Sequence, residues 1–282
     1  MWLWLSVGSA LLLGVYDVAK KQALKRNSVY WILLCATALT SLFLSPFLSA
    51  GPITDHYRLM FKAVLVSVSW ISGLKAMECL PLTTVSTIKA SRPMFVVIFS
   101  ILIFGERLNL VQWLGVAVVM AALFLSTRSS HHDTDKMTSA KGVFYMIVSV
   151  LSGAASALWD KHIMQSMEPL FVQSWTNVYI TILLALVLLV QFLVDRKNFQ
   201  PLTWDWKLLL IAVLITVADA LYFFAVKEPD ALLSIISMIR RTSVVVTFLG
   251  GVLILKEGHV RDKAHVLVLM LLGVALLLSG SA

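Results

Sequence analysis

Within the apolar run from Pro81 to Phe104, Lys89 and Arg92 interrupt what otherwise reads as a membrane-spanning helix. The run from Asp230 to Leu255 carries Arg240 and Arg241 at nearly the same depth. A charge at the centre of a spanning helix costs about 2.5–3.5 kcal/mol even on lenient insertion scales, and such groups mark functional sites by default. Four of them would cost roughly 10 kcal/mol, comparable with an ordinary fold's whole stability of ~5–15 kcal/mol. They require a polar pathway, acidic partners or an anionic ligand. Lys89 and Arg92 are three residues apart and share a helix face. Arg240 and Arg241 are about 100° apart around a helix, so one can face a cavity while the other reaches round or pairs with an acid. A guanidinium fork grips phosphate or carboxylate oxygens bidentately, and Lys acts as a mobile point charge. Lys89, Arg92, Arg240 and Arg241 are therefore the candidate substrate-binding residues. Pro93 removes the N–H that would have bonded the Lys89 carbonyl, which predicts a helix kink beside these cations.

The competing reading is that the cations are neutralised by acids. Asp17, Asp160 and Asp219 are the candidates for internal counter-ions or coupling carboxylates. Glu106 and Glu257 fall at span ends and are expected to serve the loop boundaries. Lys75 is expected to pair with Glu78 across one helical turn. Tyr16 and Trp159 precede two of the aspartates and are expected mainly to pack, with stacking on a substrate as the alternative.

The elements that must hold these groups are membrane helices. The chain is 59% hydrophobic and only 13% charged, with a mean hydropathy of +0.89, far from soluble-domain usage. Ten apolar segments of spanning length can be marked, at about 2–19, 29–48, 59–79, 82–104, 110–127, 142–164, 170–194, 206–226, 230–255 and 264–280. What remains is too short for a soluble catalytic domain, so the chemistry belongs inside the bundle. The first segment lacks a basic leader and a small-residue cleavage site, which predicts that it is retained. Trp2, Trp4, Trp204 and Trp206 fall at span ends and are expected to form interfacial belts. Cys35 and Cys79 read as small packing residues.

The chain also repeats itself. Ser6, Ala10, Gly14 and Asp17 are echoed 143 positions later by Ser149, Gly153, Ala157 and Asp160. Pro81 pairs with Pro229, Ile88–Lys89 with Ile239–Arg240, Glu106 with Glu257, and Gly115–Val116–Ala117 with Gly273–Val274–Ala275. The offset grows through 148 and 151 to 158, as small loop insertions would produce. Five spans per unit is an odd number, so the second unit enters the membrane from the opposite side. This predicts an all-α membrane protein of ten transmembrane helices, in two inverted five-helix repeats around a central cavity, with the site near the midplane. The units are placed at 1–127 and 142–282, joined by a polar linker at 128–141. His131, His132, Asp133 and Asp135 in that linker read as solvated residues; no metal site is expected.

The run PLTTVSTIKASRPMFVVIFSILIFGE at 81–106 resembles the fourth helix of drug/metabolite-transporter superfamily proteins, which consist of two five-helix EamA-type units. That resemblance covers essentially the whole chain. IKASRP, with its mate MIRR at 238–241, is most similar to the sugar-phosphate and triose-phosphate translocator branch. In that branch a helix-4 lysine, eight residues after a proline, and a helix-9 Lys-Arg pair bind phosphate. Here Lys89 follows Pro81 by eight, and Arg240–Arg241 stands in place of Lys-Arg. The branch's third-helix histidine and eighth-helix tyrosine find no match in sequence, so its substrate choice does not carry over.

No HExxH zinc site, GxSxG elbow or P-loop is present, so neither an enzyme nor a self-powered pump is expected, and no cofactor is implied. The expectation is a secondary transporter of a small organic metabolite, anionic or phosphorylated, working by alternating access. An exporter of amino acids, other zwitterions or drugs, and a lipid-phosphate flippase, are the alternatives. The partners are then a small-molecule substrate and the bilayer, with no nucleic acid, in a monomer or homodimer of a bacterial inner membrane. The net charge of +8 sits mostly in loops. Thirteen loop cations fall on one face, against Arg58, Lys62, Arg107, Lys161 and Lys227 on the other. By the positive-inside rule the termini would lie outside the cytoplasm.

Overall fold

The computed structural model describes residues 1–23, 26–79, 88, 91–128, 140–194, 201–243, 245–246 and 260–280. Among them are ten α-helices, numbered here in chain order. The first unit holds α1 (Trp2–Ala23), α2 (Val29–Phe43), α3 (Ile53–Cys79), α4 (Arg92–Phe104) and α5 (Leu110–Arg128). The second holds α6 (Ala140–Met164), α7 (Pro169–Val194), α8 (Trp206–Lys227), α9 (Leu233–Arg241) and α10 (Val260–Ser279). Among the described residues four stretches are individually long and apolar enough to cross a membrane: Trp2–Lys20, Ala140–Met164, Pro169–Val194 and Trp206–Lys227.

Local chemistry sets the ends. Asn109 and Gln112 form a reciprocal capping box at the start of α5. The Gln112 N–H donates to Asn109 Oδ1 at 2.8 Å, and the Asn109 N–H donates to Gln112 Oε1 at 2.9 Å. Asp205 caps α8 by accepting from the Lys207 N–H at 3.1 Å. Gly105 closes α4 in the left-handed conformation, φ 64°, which glycine adopts without penalty. Helix α3 begins at Ile53, immediately after Pro52 and six residues before its expected start. The polar residues Asp55, His56 and Arg58 had hidden that first turn and a half.

The packing exchanges the two units. Helix α3 packs along α6, and α1 along α8; α3 meets α7 where α2 meets α8; α4 meets α6 where α1 meets α9. The pairs α2–α7, α4–α9 and α5–α10 are their own mates. Adding five to each helix number reproduces the pattern, which is the signature of a pseudo-two-fold relation between the repeats. Ten helices in two inverted five-helix units is thus the architecture. Both termini share one face with the loops at 44–52, 105–109, 165–168 and 228–232.

The matched glycines mark close approaches. A Cβ on Gly115 would lie 2.8 Å from Leu277 Cγ and 3.0 Å from its backbone nitrogen. One on Gly273 would lie 2.6 Å from Val119 Cγ2 and 3.3 Å from the Gly115 carbonyl oxygen. The repeated Gly-Val-Ala triplets therefore face each other across α5–α10, where small residues let backbones meet. Trp2 is buried in the core, not placed in an interfacial belt, while Trp4, Trp204 and Trp206 are exposed. Gly115→Val and Gly273→Val should each destabilise the purified protein by about 1–3 kcal/mol, since neither backbone can retreat. Detergent-solubilised thermal unfolding checks this, with the exposed Leu110→Val as a control that leaves the midpoint near that of the parent.

Candidate functional site

The two arginine-bearing helices are interrupted at matched positions. The Ser91 N–H bonds the Ile88 carbonyl at 3.1 Å, and its hydroxyl donates to the same oxygen at 2.6 Å. The Thr242 N–H bonds the Ile239 carbonyl at 3.0 Å, and its hydroxyl likewise at 2.6 Å. Ser91 and Thr242 are 151 positions apart, as are Ile88 and Ile239. Each repeat thus carries one tightened turn, held by a hydroxyl folded back on the backbone. Pro93, where a kink is expected, stands beside the first of these interruptions. Among the described residues α4 starts at Arg92, and Pro93 lies in its first turn, where a missing N–H costs nothing. The second repeat makes the same interruption without a proline, and a hydroxyl folded back on the preceding carbonyl is common to both.

Three guanidinium groups gather beside these interruptions. Arg92 lies within electrostatic range of Arg240, Arg241, Tyr222 and Asp160. Its Nη2 donates to Ser69 Oγ at 3.1 Å. Ser69 and Ser149 in turn exchange hydroxyl-to-carbonyl bonds of 2.7 and 2.6 Å, clamping α3 to α6. The Arg92 guanidinium lies against Gly153, in the space a Cβ there would fill. The small-residue stripe on α6 thus makes room for the cation. Arg240 donates from Nη2 to Asp219 Oδ1 at 2.7 Å, and its Cζ sits 4.1 Å from the centre of the Tyr222 ring. Arg241 has Asp17 and Arg240 within electrostatic range. Lys89 lies outside the described residues, as does the side chain of Glu78; Lys75 is exposed, with Nζ 5.7 Å from the centre of the Tyr145 ring.

Asp160 has a partner that sequence reasoning placed in a loop. Lys62 of α3 is buried and forms an ion pair with Asp160 of α6, with Nζ 4.3 Å from the centre of the Phe223 ring. The Tyr222 hydroxyl donates to the other Asp160 oxygen at 3.1 Å. Tyr222 therefore links Asp160 to Arg240. Nothing in the surrounding leucines and phenylalanines distinguishes Tyr222 in the sequence. Lys62 was hidden by lying nine residues inside a helix whose start was read too late.

Glu106 is a second correction. It is buried and accepts from Lys161 Nζ at 2.6 Å, from the Leu233 N–H at 2.7 Å and from the Ser234 hydroxyl at 2.5 Å. Lys161 also donates to the Ala231 carbonyl at 2.9 Å. A carboxylate here caps the α9 N-terminus and pairs a cation, joining the end of α4 to the other repeat. Trp159 donates from Nε1 to the Arg58 carbonyl at 3.1 Å and packs edge-on against Phe61, so it fastens α6 to α3. Lys20 lies over the Tyr16 ring at 5.6 Å.

A bundle of inverted repeats with charged groups between interrupted helices defines a membrane transporter of small substrates. The chain belongs to the EamA-like transporter family, whose model matches residues 1–128 and again 140–279, and so to the drug/metabolite transporter superfamily. A solved crystal structure, described only as that of a protein, has the same fold, with a TM-score of 0.77 at 13% identity. It covers 98% of this chain and 98% of its own. No curated protein matches in sequence.

Removing one partner of a buried ion pair costs about 3–5 kcal/mol, whereas replacing both with apolar groups is often neutral. Lys62→Met alone should therefore lower the unfolding midpoint sharply, and Lys62→Met with Asp160→Leu should recover most of it. Thermal unfolding of the three proteins measures this. A double variant no more stable than Lys62→Met would show that the pair is not the dominant tie between α3 and α6.

Proposed function

We propose that this integral membrane protein carries a small organic anion, with phosphorylated solutes favoured, by alternating access. The observation that supports the reading is the gathering of Arg92 from one repeat with Arg240 and Arg241 from the other. Among the described residues only Arg240 of these three is in an ion pair. Like charges brought together in low dielectric repel, and an anion between them relieves that repulsion. Such a ligand would touch both repeats at their interruptions, where a rocking motion of one unit against the other changes its surroundings. Lys89, four residues before Pro93, is proposed to complete the cation set from the first repeat.

The second reading is a zwitterion such as an amino acid. Asp160 and Asp219 favour it, since they place carboxylates beside the arginines. Orientation follows from loop charge. Lys62 and Lys161 are held in ion pairs with Asp160 and Glu106, so the face bearing the termini is poorer in free cations than a simple count suggests. We place that face outside the cytoplasm, in a bacterial inner membrane.

Counterflow in proteoliposomes tests the function. Protein preloaded with inorganic phosphate should take up a labelled phosphate ester, and Arg92→Ala and Arg240→Ala should each reduce uptake by about tenfold or more, the loss of a charge-assisted bidentate contact. Wild-type protein that moves a cationic dye, and whose dye transport both variants leave intact, would overturn the anion reading.

A further inference from the structure

We infer that Asp219 is an internal competitor for the substrate's oxyanion on Arg240, and that this competition selects dianionic over monoanionic solutes. The inference rests on the anion-carrier reading above. A guanidinium offers a side-on edge, in which Nε–H and an Nη2 N–H point the same way and match two oxygens of one oxyanion. Asp219 serves only half of that edge. Its Oδ1 accepts from Nη2 at 2.7 Å, while Nε, sealed from solvent, has no hydrogen-bond partner among the described residues. A buried N–H without an acceptor is costly to leave unserved. The Tyr222 ring covers one face of the guanidinium, with Cζ 4.1 Å from the ring centre, and the half-served Nε/Nη2 edge is where a two-oxygen ligand gains an unserved donor.

The two carboxylates beside Tyr222 differ in their freedom to leave. The Asp160 side chain is 7% exposed, against a Lys62 side chain at 4%. The Asp219 side chain is 31% exposed, so it can turn into water when displaced. Displacement by a monocarboxylate would exchange one unit of negative charge for another, with little electrostatic gain. A phosphate dianion brings a second charge and a third oxygen towards Arg92 and Arg241, which lie in the same neighbourhood. Arg92 spends one described hydrogen bond on Ser69, at 3.1 Å, and its remaining N–H groups can serve that oxygen. In the empty carrier Asp219 balances Arg240; in the loaded carrier the solute does.

The test is counterflow of inorganic phosphate by the full chain in proteoliposomes, at a pH where phosphate is largely the dianion, with acetate as the monoanionic competitor. Asp219→Asn should lower the KM for phosphate by about fivefold, leave the maximal rate unchanged or lower, and make acetate inhibitory. Asp219→Glu, which keeps the competing charge, should shift KM less than Asp219→Asn and leave acetate without effect. A residue that merely props Arg240 would do the reverse, raising KM when its charge is removed. Asp219→Ser repeats the measurement should the asparagine variant fail to fold. If the parent protein moves phosphate, and Asp219→Asn or Asp219→Ser at parental thermal stability leaves KM unchanged or raised, the inference is overturned and the anion reading stands. If the parent neither moves nor binds phosphate, both fall together.

Discussion

Every feature near the centre of this bundle answers to one constraint: charge in a low-dielectric interior must be compensated where it stands. Lys62 is compensated by Asp160, Lys161 by Glu106, and Arg240 by Asp219 with the Tyr222 ring. Each of these ties joins different helices, so charge compensation also fixes which elements are neighbours. Lys62–Asp160 binds α3 to α6 across the repeats, and Glu106 binds the end of α4 to Lys161 and to the start of α9. Among the described residues Arg92 is served by a hydroxyl, not a carboxylate.

The scaffold is symmetric and its chemistry is not. Ser91 and Thr242 interrupt the fourth helix of each unit at the same point and by the same hydroxyl-to-carbonyl bond. The positions that follow diverge: Arg92 in the first unit corresponds to Ser243 in the second, and Ala90 to Arg241. The first unit accommodates its arginine against Gly153, and the second lays the Ser243 carbonyl against Gly14. The two-fold relation of the helices is therefore not carried into the charged groups.

Close packing supplies what the polar groups cannot. Lipid offers no hydrophobic drive between helices, so α5 and α10 associate through the backbone approach that Gly115 and Gly273 permit. The serine exchange between Ser69 and Ser149 does similar work between α3 and α6, satisfying both hydroxyls within the apolar bundle.

The ten helices and the inverted repeat were legible in the sequence. Hydropathy and spacing are local properties, and the growing offset between matched residues survives in one dimension. Partner choice was not legible. Lys62 and Lys161 read as loop cations, Glu106 as a boundary acid and Tyr222 as one more aromatic, because each acquires its role from a residue at least 55 positions away. The interruption at Thr242 was equally hidden, since without a proline a hydroxyl bonded to its own helix leaves no mark in composition. Composition and periodicity determine that charge falls within apolar helices. Only the tertiary fold decides what stands opposite each charge, because compensation depends on distances of a few ångströms between helices that the sequence keeps far apart.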